Sequence, residues 1–125
     1  MPSSTPNTDG NEDPTRVAYG HWESFPWAPF PMYNGSKSVF YRSKDNKVAI
    51  GAIREKGADT MTWPEDEFLF VTQGWIKFRV HGGDSFTLER GHVLVLRKGQ
   101  TFDFEMSDDF ANIAIFMSET GVTIV

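Results

Sequence analysis

The feature that most constrains the fold of this chain is a regular series of short apolar runs separated by turn residues. Between residues 38 and 117, no stretch keeps a helical period, and glycine or polar turns recur every few residues. The runs predict eight strands: Ser38–Arg42, Val48–Arg54, Phe68–Thr72, Trp75–Val80, Ser85–Leu88, Val93–Leu96, Thr101–Glu105 and Ala111–Met117. The intervening turns include Gly57–Asp59 and the glycine hairpin Gly82–Asp84. Many short strands with glycine turns predict an all-β sandwich or barrel.

The chain of 125 residues is the size of one domain. Residues 1–16 are almost free of apolar side chains, so we predict a flexible N-terminal arm, or alternatively an arm that docks on a partner subunit. Residues 17–125 form the predicted barrel. Within it, residues 17–34 alternate aromatics with prolines, which predicts an extended segment packed over the core or against a second subunit.

Composition limits the possible partners and locations. The net charge is −5 and no basic cluster occurs, so nucleic acid is not an expected partner. No run of eighteen apolar residues and no secretory leader pattern occur in this sequence, so we expect no membrane association and a cytoplasmic location. The absence of cysteine excludes disulfides and thiolate metal sites within the chain.

Two spacings resemble the signature motifs of the cupins, which are small double-sheet barrels of the jelly-roll type. Glu67 and Gly74 are separated by six residues, as at the end of the first cupin motif. Gly91, Gly99 and Phe102 follow the spacing of the second. The stretch GADTMTWPEDEFLFVTQGWIKF is similar to the subfamily that includes ureidoglycine aminohydrolase and the ethanolamine-utilisation cupin. The resemblance covers roughly residues 38–117 and implies a single double-stranded β-helix (jelly-roll, cupin) barrel, commonly a homodimer.

The motifs lack the histidines that hold a metal in many cupins. Counting back from Glu67, the histidine positions fall on Met61 and Trp63, and the histidine of the second motif is Phe102. A transition metal needs about three or four N, O or S donors. We therefore expect no metal and no other cofactor. Three adjacent carboxylates, Glu65, Asp66 and Glu67, do not converge on a strand, and Pro64–Asp66 reads as a charged turn.

Alternate residues of a strand point to the same face, so the first motif predicts that Glu67, Leu69 and Val71 point into the barrel. The side chains expected to face the same space are Met61, Trp63 and Phe102. Burial raises the pKa of a carboxyl group unless a cation pairs with it. Without a cation, Glu67 could serve as a general acid or base. With one, it would be structural or would orient a ligand. The candidate cations are Arg54, Lys77, Arg79 and Arg97.

The rings of Trp63 and Phe102 allow two interpretations. They plug the barrel, or they form an aromatic wall that stacks on a flat or sugar-like ligand. Tyr33 and Tyr41 are within possible reach of the mouth of such a pocket. The three histidines, His21, His81 and His92, lie in the aromatic–proline segment and near turn glycines, where surface or interface roles are typical.

Three functional hypotheses follow. The first is a metal-independent cupin that binds a small polar or ring-containing metabolite, with Met61, Trp63, Leu69 and Phe102 as the wall and Glu67 as the polar anchor. The second is an acid–base enzyme of the hydrolase, isomerase or lyase type that uses Glu67. The third is a non-catalytic dimeric interaction domain with a plugged barrel.

Overall fold

The computed structural model describes residues 6–8 and 13–125, and the regular secondary structure of these residues is almost entirely β-strand. The ten strands are β1 Ala28–Phe30, β2 Gly35–Arg42, β3 Val48–Arg54, β4 Gly57–Thr62, β5 Asp66–Gln73, β6 Trp75–Val80, β7 Ser85–Glu89, β8 Val93–Leu96, β9 Thr101–Met106 and β10 Ala111–Met117. One turn of 3₁₀-helix, Pro31–Tyr33, joins β1 to β2. No helix within this part of the chain has the length and apolar character needed to cross a membrane.

The strands form two antiparallel sheets that face each other. The six-stranded sheet has the order β1-β2-β3-β10-β5-β8, and the four-stranded sheet has the order β4-β9-β6-β7. Several neighbours in these sheets are distant in sequence, as in a jelly roll, such as β3 and β10 or β4 and β9, and every strand pair is antiparallel. The predicted all-β jelly-roll fold is confirmed.

All eight predicted strands are present, and four of them, β3, β6, β8 and β10, have the predicted ends. The two remaining strands, β1 and β4, were not predicted. The predicted turn at Gly57–Asp59 is wrong, because these residues begin strand β4. This strand lies at a sheet edge and its residues are mostly exposed, so it shows no apolar alternation. Only its pairing with β9 makes it a strand.

The core lies between the sheets and is rich in aromatic side chains. On β6, Ile76 and Phe78 are buried while Lys77 and Arg79 are exposed, as the alternation predicts. On β9, Phe102, Phe104 and Met106 are buried, and they pair with Val80, Phe78 and Ile76 of β6. Cross-strand partners share a face, so these residues form one continuous apolar layer.

The turn between β5 and β6 explains the position of Gly74 in the first motif. Gly74 has a φ of 71°, a left-handed conformation that glycine adopts without strain. A Cβ atom there would lie 2.4 Å from Ser107 Oγ and 2.9 Å from Phe110 Cα. Glycine is therefore needed at this position of the motif, because the turn packs closely against the residues that precede β10.

The aromatic–proline segment packs against its own barrel. Phe25, Phe30 and Tyr33 are buried, and the ring of Phe25 lies 4.4 Å from that of Phe40. The guanidinium of Arg54 lies 4.4 Å from the ring of Trp27. Contact with a second subunit stays a prediction.

Part of the predicted N-terminal arm contacts β2. The backbone N–H of Asn7 donates to the carbonyl of Phe40 (2.8 Å), and the carbonyl of Asn7 accepts from the N–H of Arg42 (3.0 Å). Residues 1–5 and 9–12 of that arm lie outside the described residues. Its flexibility stays a prediction.

Candidate functional site

A small cavity between the two sheets brings together the polar and aromatic residues of the barrel interior. Its volume is about 30 Å³, enough for one or two water molecules. Both sheets contribute, together with the ends of β3 and β4 and the 3₁₀ turn. The lining residues are Tyr33, Glu55, Trp63, Glu67, Leu69, Ile76, Phe78, Leu96, Phe102 and Phe104.

Aromatic rings occupy most of the lumen. The ring centroid of Phe102 lies 5.1 Å from that of Phe78, 5.5 Å from that of Trp63 and 5.8 Å from that of Phe104. Phe102, at the histidine position of the second motif, is 1% exposed. The rings fill most of the barrel interior and leave a small space beside them. The structure is therefore intermediate between a barrel that these rings plug and a barrel in which they form one wall of a ligand pocket.

The structure brings four of the five sequence-predicted site residues together. Trp63, Glu67, Leu69 and Phe102 line the cavity. Met61 does not line it, although its partner across the β4–β9 pair is Phe102. Its sulfur instead lies 2.8 Å from the hydroxyl of Tyr33, and this hydroxyl donates to Asp59 Oδ2 (3.1 Å). Burial, reinforced by Asp59, raises the pKa of Tyr33, so this phenol stays protonated.

Glu67 is a buried carboxyl group that has no cationic partner among the residues that the structure describes. It is 3% exposed. Its pKa is raised well above its ordinary value, first by loss of solvation and then by the charges of Glu55 and Glu65. The indole N–H of Trp63 partly opposes this rise, but it makes no hydrogen bond of normal geometry with any described residue. Burial and the neighbouring acids therefore favour the neutral form of this carboxyl.

The four candidate cations all lie elsewhere. Arg54 bonds to Glu23 (2.6 Å) and Arg97 to Asp66 (3.4 Å) at the surface. The ammonium of Lys77 lies 5.0 Å from the ring of Trp75. Arg79 is exposed on β6, and its charge lowers the pKa of Asp103 instead of that of Glu67. Among the described residues, then, the cavity is lined by acids and rings and by no lysine, arginine or histidine.

Glu55 is a second carboxyl in the cavity, and the sequence analysis missed it. It directly follows β3, in the same parity as the buried Ala49 and Ile53, which is the signal that would have found it. Asn112 Nδ2 donates to its Oε1 (3.3 Å). Burial raises the pKa of Glu55 to about 7, against the opposing hydrogen bond from Asn112.

A third carboxyl, Glu65, is buried just outside the cavity. The chain bends at this position as predicted, but the interpretation of Pro64–Asp66 as a solvated charged turn is wrong for Glu65, which is 2% exposed. Its Oε1 accepts hydrogen bonds from the hydroxyl of Thr123 (2.7 Å) and from the backbone N–H of the same residue. Asp66 points outward to the backbone N–H of Lys98 (2.9 Å). Neighbouring carboxylates therefore diverge, as a strand requires.

The donor set does not fit the transition-metal site of a histidine-bearing cupin. Of the four corresponding positions, only Glu67 carries a group that ligates hard or borderline metals, because the others are Met61, Trp63 and Phe102. No group of three histidine, cysteine or acidic side chains within the described ranges is arranged to hold a metal ion.

The histidines take part in local surface contacts. His81 Nε2 lies 2.9 Å from Asp103 Oδ1. His92 Nδ1 accepts from the backbone N–H of Glu89 (2.8 Å), and His21 Nδ1 accepts from that of Glu23 (3.2 Å).

The profile of a known protein family matches this sequence. The profile of the EutQ-like cupin domain family matches residues 44–111, more than half of the chain. No curated protein sequence matches.

Solved structures share the fold at low sequence identity. The Clostridium difficile EutQ structure is 17% identical with a TM-score of 0.56; 70% of this chain is covered and 64% of that one, just under two thirds. The cupin domain of Schizosaccharomyces pombe Cnp3 is 12% identical with a TM-score of 0.65, covering 84% and 77%. An RmlC-like cupin from Shewanella frigidimarina is 11% identical with a TM-score of 0.62, covering 82% and 91%. At these identities, the likeness concerns the fold alone.

Proposed function

The chain belongs to the family of EutQ-like cupin domains, and we propose that it is a metal-independent cupin that binds a small polar ligand in the barrel. The observation that carries this proposal is the buried carboxyl of Glu67, which faces a space that the surrounding rings do not fill. A buried polar group without a full set of partners costs free energy, and a ligand that supplies those partners recovers it.

The size of the cavity limits the ligand. A space of about 30 Å³ accepts a molecule of very few heavy atoms. The ring-containing metabolite considered from the sequence requires the side chain of Trp63 or Phe102 to move. A small polar molecule requires no such change, so we favour it.

Thermal stabilisation in the presence of small polar fragments tests the proposal. A ligand of the lumen raises the Tm of the wild-type protein, and Glu67→Gln reduces the shift because it changes the anchor. Glu105→Gln, an exposed site on β9, is the matched control and leaves the shift intact. Elemental analysis of the purified protein tests metal independence, and a stoichiometric transition metal contradicts it.

The raised pKa values of Glu55 and Glu67 also suit proton transfer, so the acid–base enzyme stays a prediction. If a substrate is found, Glu67→Gln must abolish its turnover. Normal turnover by this variant rejects the enzymatic role of Glu67. The cytoplasmic location likewise stays a prediction.

A second candidate function, homodimeric association, is favoured by the outer face of the six-stranded sheet. Cross-strand pairing aligns two rows of side chains across this face: Ser38, Ala52, Ile113, Phe70 and Val93 in one, and Tyr41, Ile50, Ile115, Phe68 and Val95 in the other. Ser38 and Ala52 are fully covered, whereas Val93 and Val95 are 53% and 60% exposed. The uncovered part is a contiguous apolar patch, and such patches mark interaction sites.

We propose that a second copy of the chain covers this patch, since an apolar face of this kind is self-complementary about a two-fold axis. Light scattering after gel filtration gives the mass of the wild type and of Val95→Glu. The wild type is expected to be a dimer and the variant a monomer, while Thr87→Glu on exposed β7 stays dimeric. A monomeric wild type contradicts the proposal. Deletion of residues 17–34 is a weaker test, because it also removes the buried Phe25 and Tyr33.

A further inference from the structure

The ionisable groups that line the cavity are all acids. Glu55 and Glu67 both line it, and Asn112 holds Glu55 through Nδ2 while its buried Oδ1 has no partner among the described residues. The buried Trp63 Nε1 lies near Glu67 and is also without a hydrogen bond there. Two carboxyls with incomplete hydrogen bonding thus meet in one space with no protein cation.

The ionisable groups near Glu67 come from several of the elements that surround the cavity. Glu55 follows β3, Glu65 precedes β5, and Tyr33 from the 3₁₀ turn is held by Asp59 of β4. The lining side chains from β6, β8 and β9 are apolar. All the ionisable neighbours are therefore acids, or a phenol that is itself an acid. A cation compensates the charge of these acids when they ionise, whereas an anionic or a neutral ligand does not.

The walls of the cavity add a second, independent preference. Phe78, Phe102 and Phe104 from the four-stranded sheet line the cavity opposite Glu67, and Trp63 and Tyr33 flank it. The face of an aromatic ring attracts a cation, most strongly where water is excluded. Acids on one side and rings on the other provide a site for a positive charge that also carries an apolar group. A bare metal ion would gain little from the rings, and it lacks a third protein ligand.

From these observations, and resting on the proposed function, we infer that the ligand of this cavity is a small organic cation, of the class of primary alkylammonium ions. Its N–H groups donate to the carboxylate of Glu67 and to a carboxyl oxygen of Glu55, which accepts in either protonation state, and its alkyl carbon lies against the rings of Phe102 and Phe78. The volume admits a cation of about two heavy atoms without side-chain movement. Methylammonium is the probe of that size.

Binding of such a cation exchanges it for a proton. In the empty cavity, burial and the neighbouring acids favour the protonated form of Glu67. When an ammonium ion enters, the O–H bond of Glu67 breaks, the proton passes to buffer, and the carboxylate pairs with the cation. The charge inside the barrel is the same before and after. Trp63 Nε1 can then donate to the ionised carboxylate and complete its hydrogen bonding.

The test is isothermal titration of the full chain with methylammonium chloride at pH 6, 7 and 8, in two buffers that differ in ionisation enthalpy. We expect binding with release of a proton, so that affinity rises with pH, by up to about tenfold per pH unit. The alkylammonium itself stays protonated throughout, like a lysine side chain. Methanol, formate, potassium and magnesium are the comparison compounds, and each is expected to bind at least tenfold more weakly.

Variants separate the roles of the groups. Glu67→Gln and Glu55→Gln are each expected to weaken methylammonium binding at least tenfold, and Glu67→Gln also to abolish proton release. Glu105→Gln is expected to change neither. Circular dichroism checks that each variant is folded, and the two separate substitutions keep the test open if one of them is not.

The outcomes distinguish the inference from the proposed function. If methanol or formate binds in a manner that depends on Glu67 while methylammonium does not, the cation inference is overturned and the binding function stands. Magnesium binding that depends on Glu67 and exceeds that of methylammonium also overturns the inference. If neither methylammonium nor any small polar fragment binds the folded wild type, both proposals fail.

Discussion

Glu55 and Glu67 share one buried cavity, and the charge of Glu55 raises the pKa of Glu67. Glu55 directly follows strand β3 and Glu67 lies on β5, and these two strands are separated in the six-stranded sheet by β10. Asn112 of β10 lies between these strands and donates to Glu55. The pair behaves as a coupled acid system, in which ionisation of one carboxyl resists ionisation of the other.

Replacing Glu67 by glutamine is expected to stabilise the protein at alkaline pH. The substitution keeps the shape of the side chain and removes the cost of ionising a buried acid. We expect the Tm of Glu67→Gln to exceed that of wild type by about 5 °C at pH 8, with a smaller difference at pH 5, where the wild-type acid is protonated. Differential scanning calorimetry measures both, with Glu105→Gln as the control. Equal differences at the two pH values would show that Glu67 is not protonated in the native state.

The pH dependence of stability is expected to carry the signature of Glu55. Its pKa rises from 4.5 in the unfolded chain to about 7 in the folded protein. The folded state therefore binds more protons in this interval, so stability is full below pH 4.5 and falls as the pH rises through 7. The loss from this group is about 3 kcal/mol by pH 8. Four aspartates have lowered pKa values, so they change the stability only below about pH 4. They are Asp13, Asp45, Asp66 and Asp103.

Urea denaturation at pH 5 and pH 8 measures this dependence. Glu55→Gln is expected to remove the contribution of Glu55 and to make the profile less steep, while the contribution of Glu67 remains. A wild-type protein that becomes more stable between pH 5 and pH 8 would contradict the burial of this carboxyl.

The C-terminal segment is expected to owe part of its stability to Glu65. The hydroxyl of Thr123 donates to Glu65 Oε1. Thr123→Val removes this hydrogen bond while the backbone N–H of the same residue still donates. We expect a loss of about 1–2 kcal/mol in the free energy of unfolding. Thr87→Val, at an exposed position of β7, controls for the substitution itself, and an equal effect at both positions would argue against the contact.

Arg54 is expected to fix the aromatic–proline segment on the sheet. Its guanidinium contacts the rings of Trp27 and Trp22, at 4.4 and 5.4 Å, and the carboxylate of Glu23. Arg54→Ala is expected to increase hydrogen exchange over residues 17–27 and to cost about 1–2 kcal/mol. Arg79→Ala on β6 is the matched arginine control. Unchanged exchange in the segment would mean that Phe25 and Phe30 suffice to hold it.

Truncating Phe102 is expected to convert the small cavity into a ligand-sized one. Phe102 is fully buried among Trp63, Phe78 and Phe104. Phe102→Ala is expected to lower the free energy of unfolding by about 3–5 kcal/mol. Benzene is then expected to raise the Tm of the variant and not that of wild type, since it refills an apolar space. Phe86→Ala, at a half-buried position of β7, should show a smaller loss and no rescue.

Sequence patterns were sufficient for the strands that bury one face. The alternation of β6 and the apolar run of β8 predicted their ends correctly, because a half-buried strand must repeat every two residues. Strand β4 was missed because neither face of this edge strand is well buried, so its residues carry no such repeat.

The sequence by itself determined the jelly-roll fold, the inward parity of Glu67 and the loss of the histidines that would hold a metal. These follow from local spacing, which the chain carries with it. Only the tertiary structure decided that Glu55 joins Glu67 in the cavity, that Glu65 turns inward to Thr123, and that every candidate cation lies outside. Those relationships depend on how strands distant in sequence pair and on which charges lose their solvent, and neither is written in the local pattern of residues.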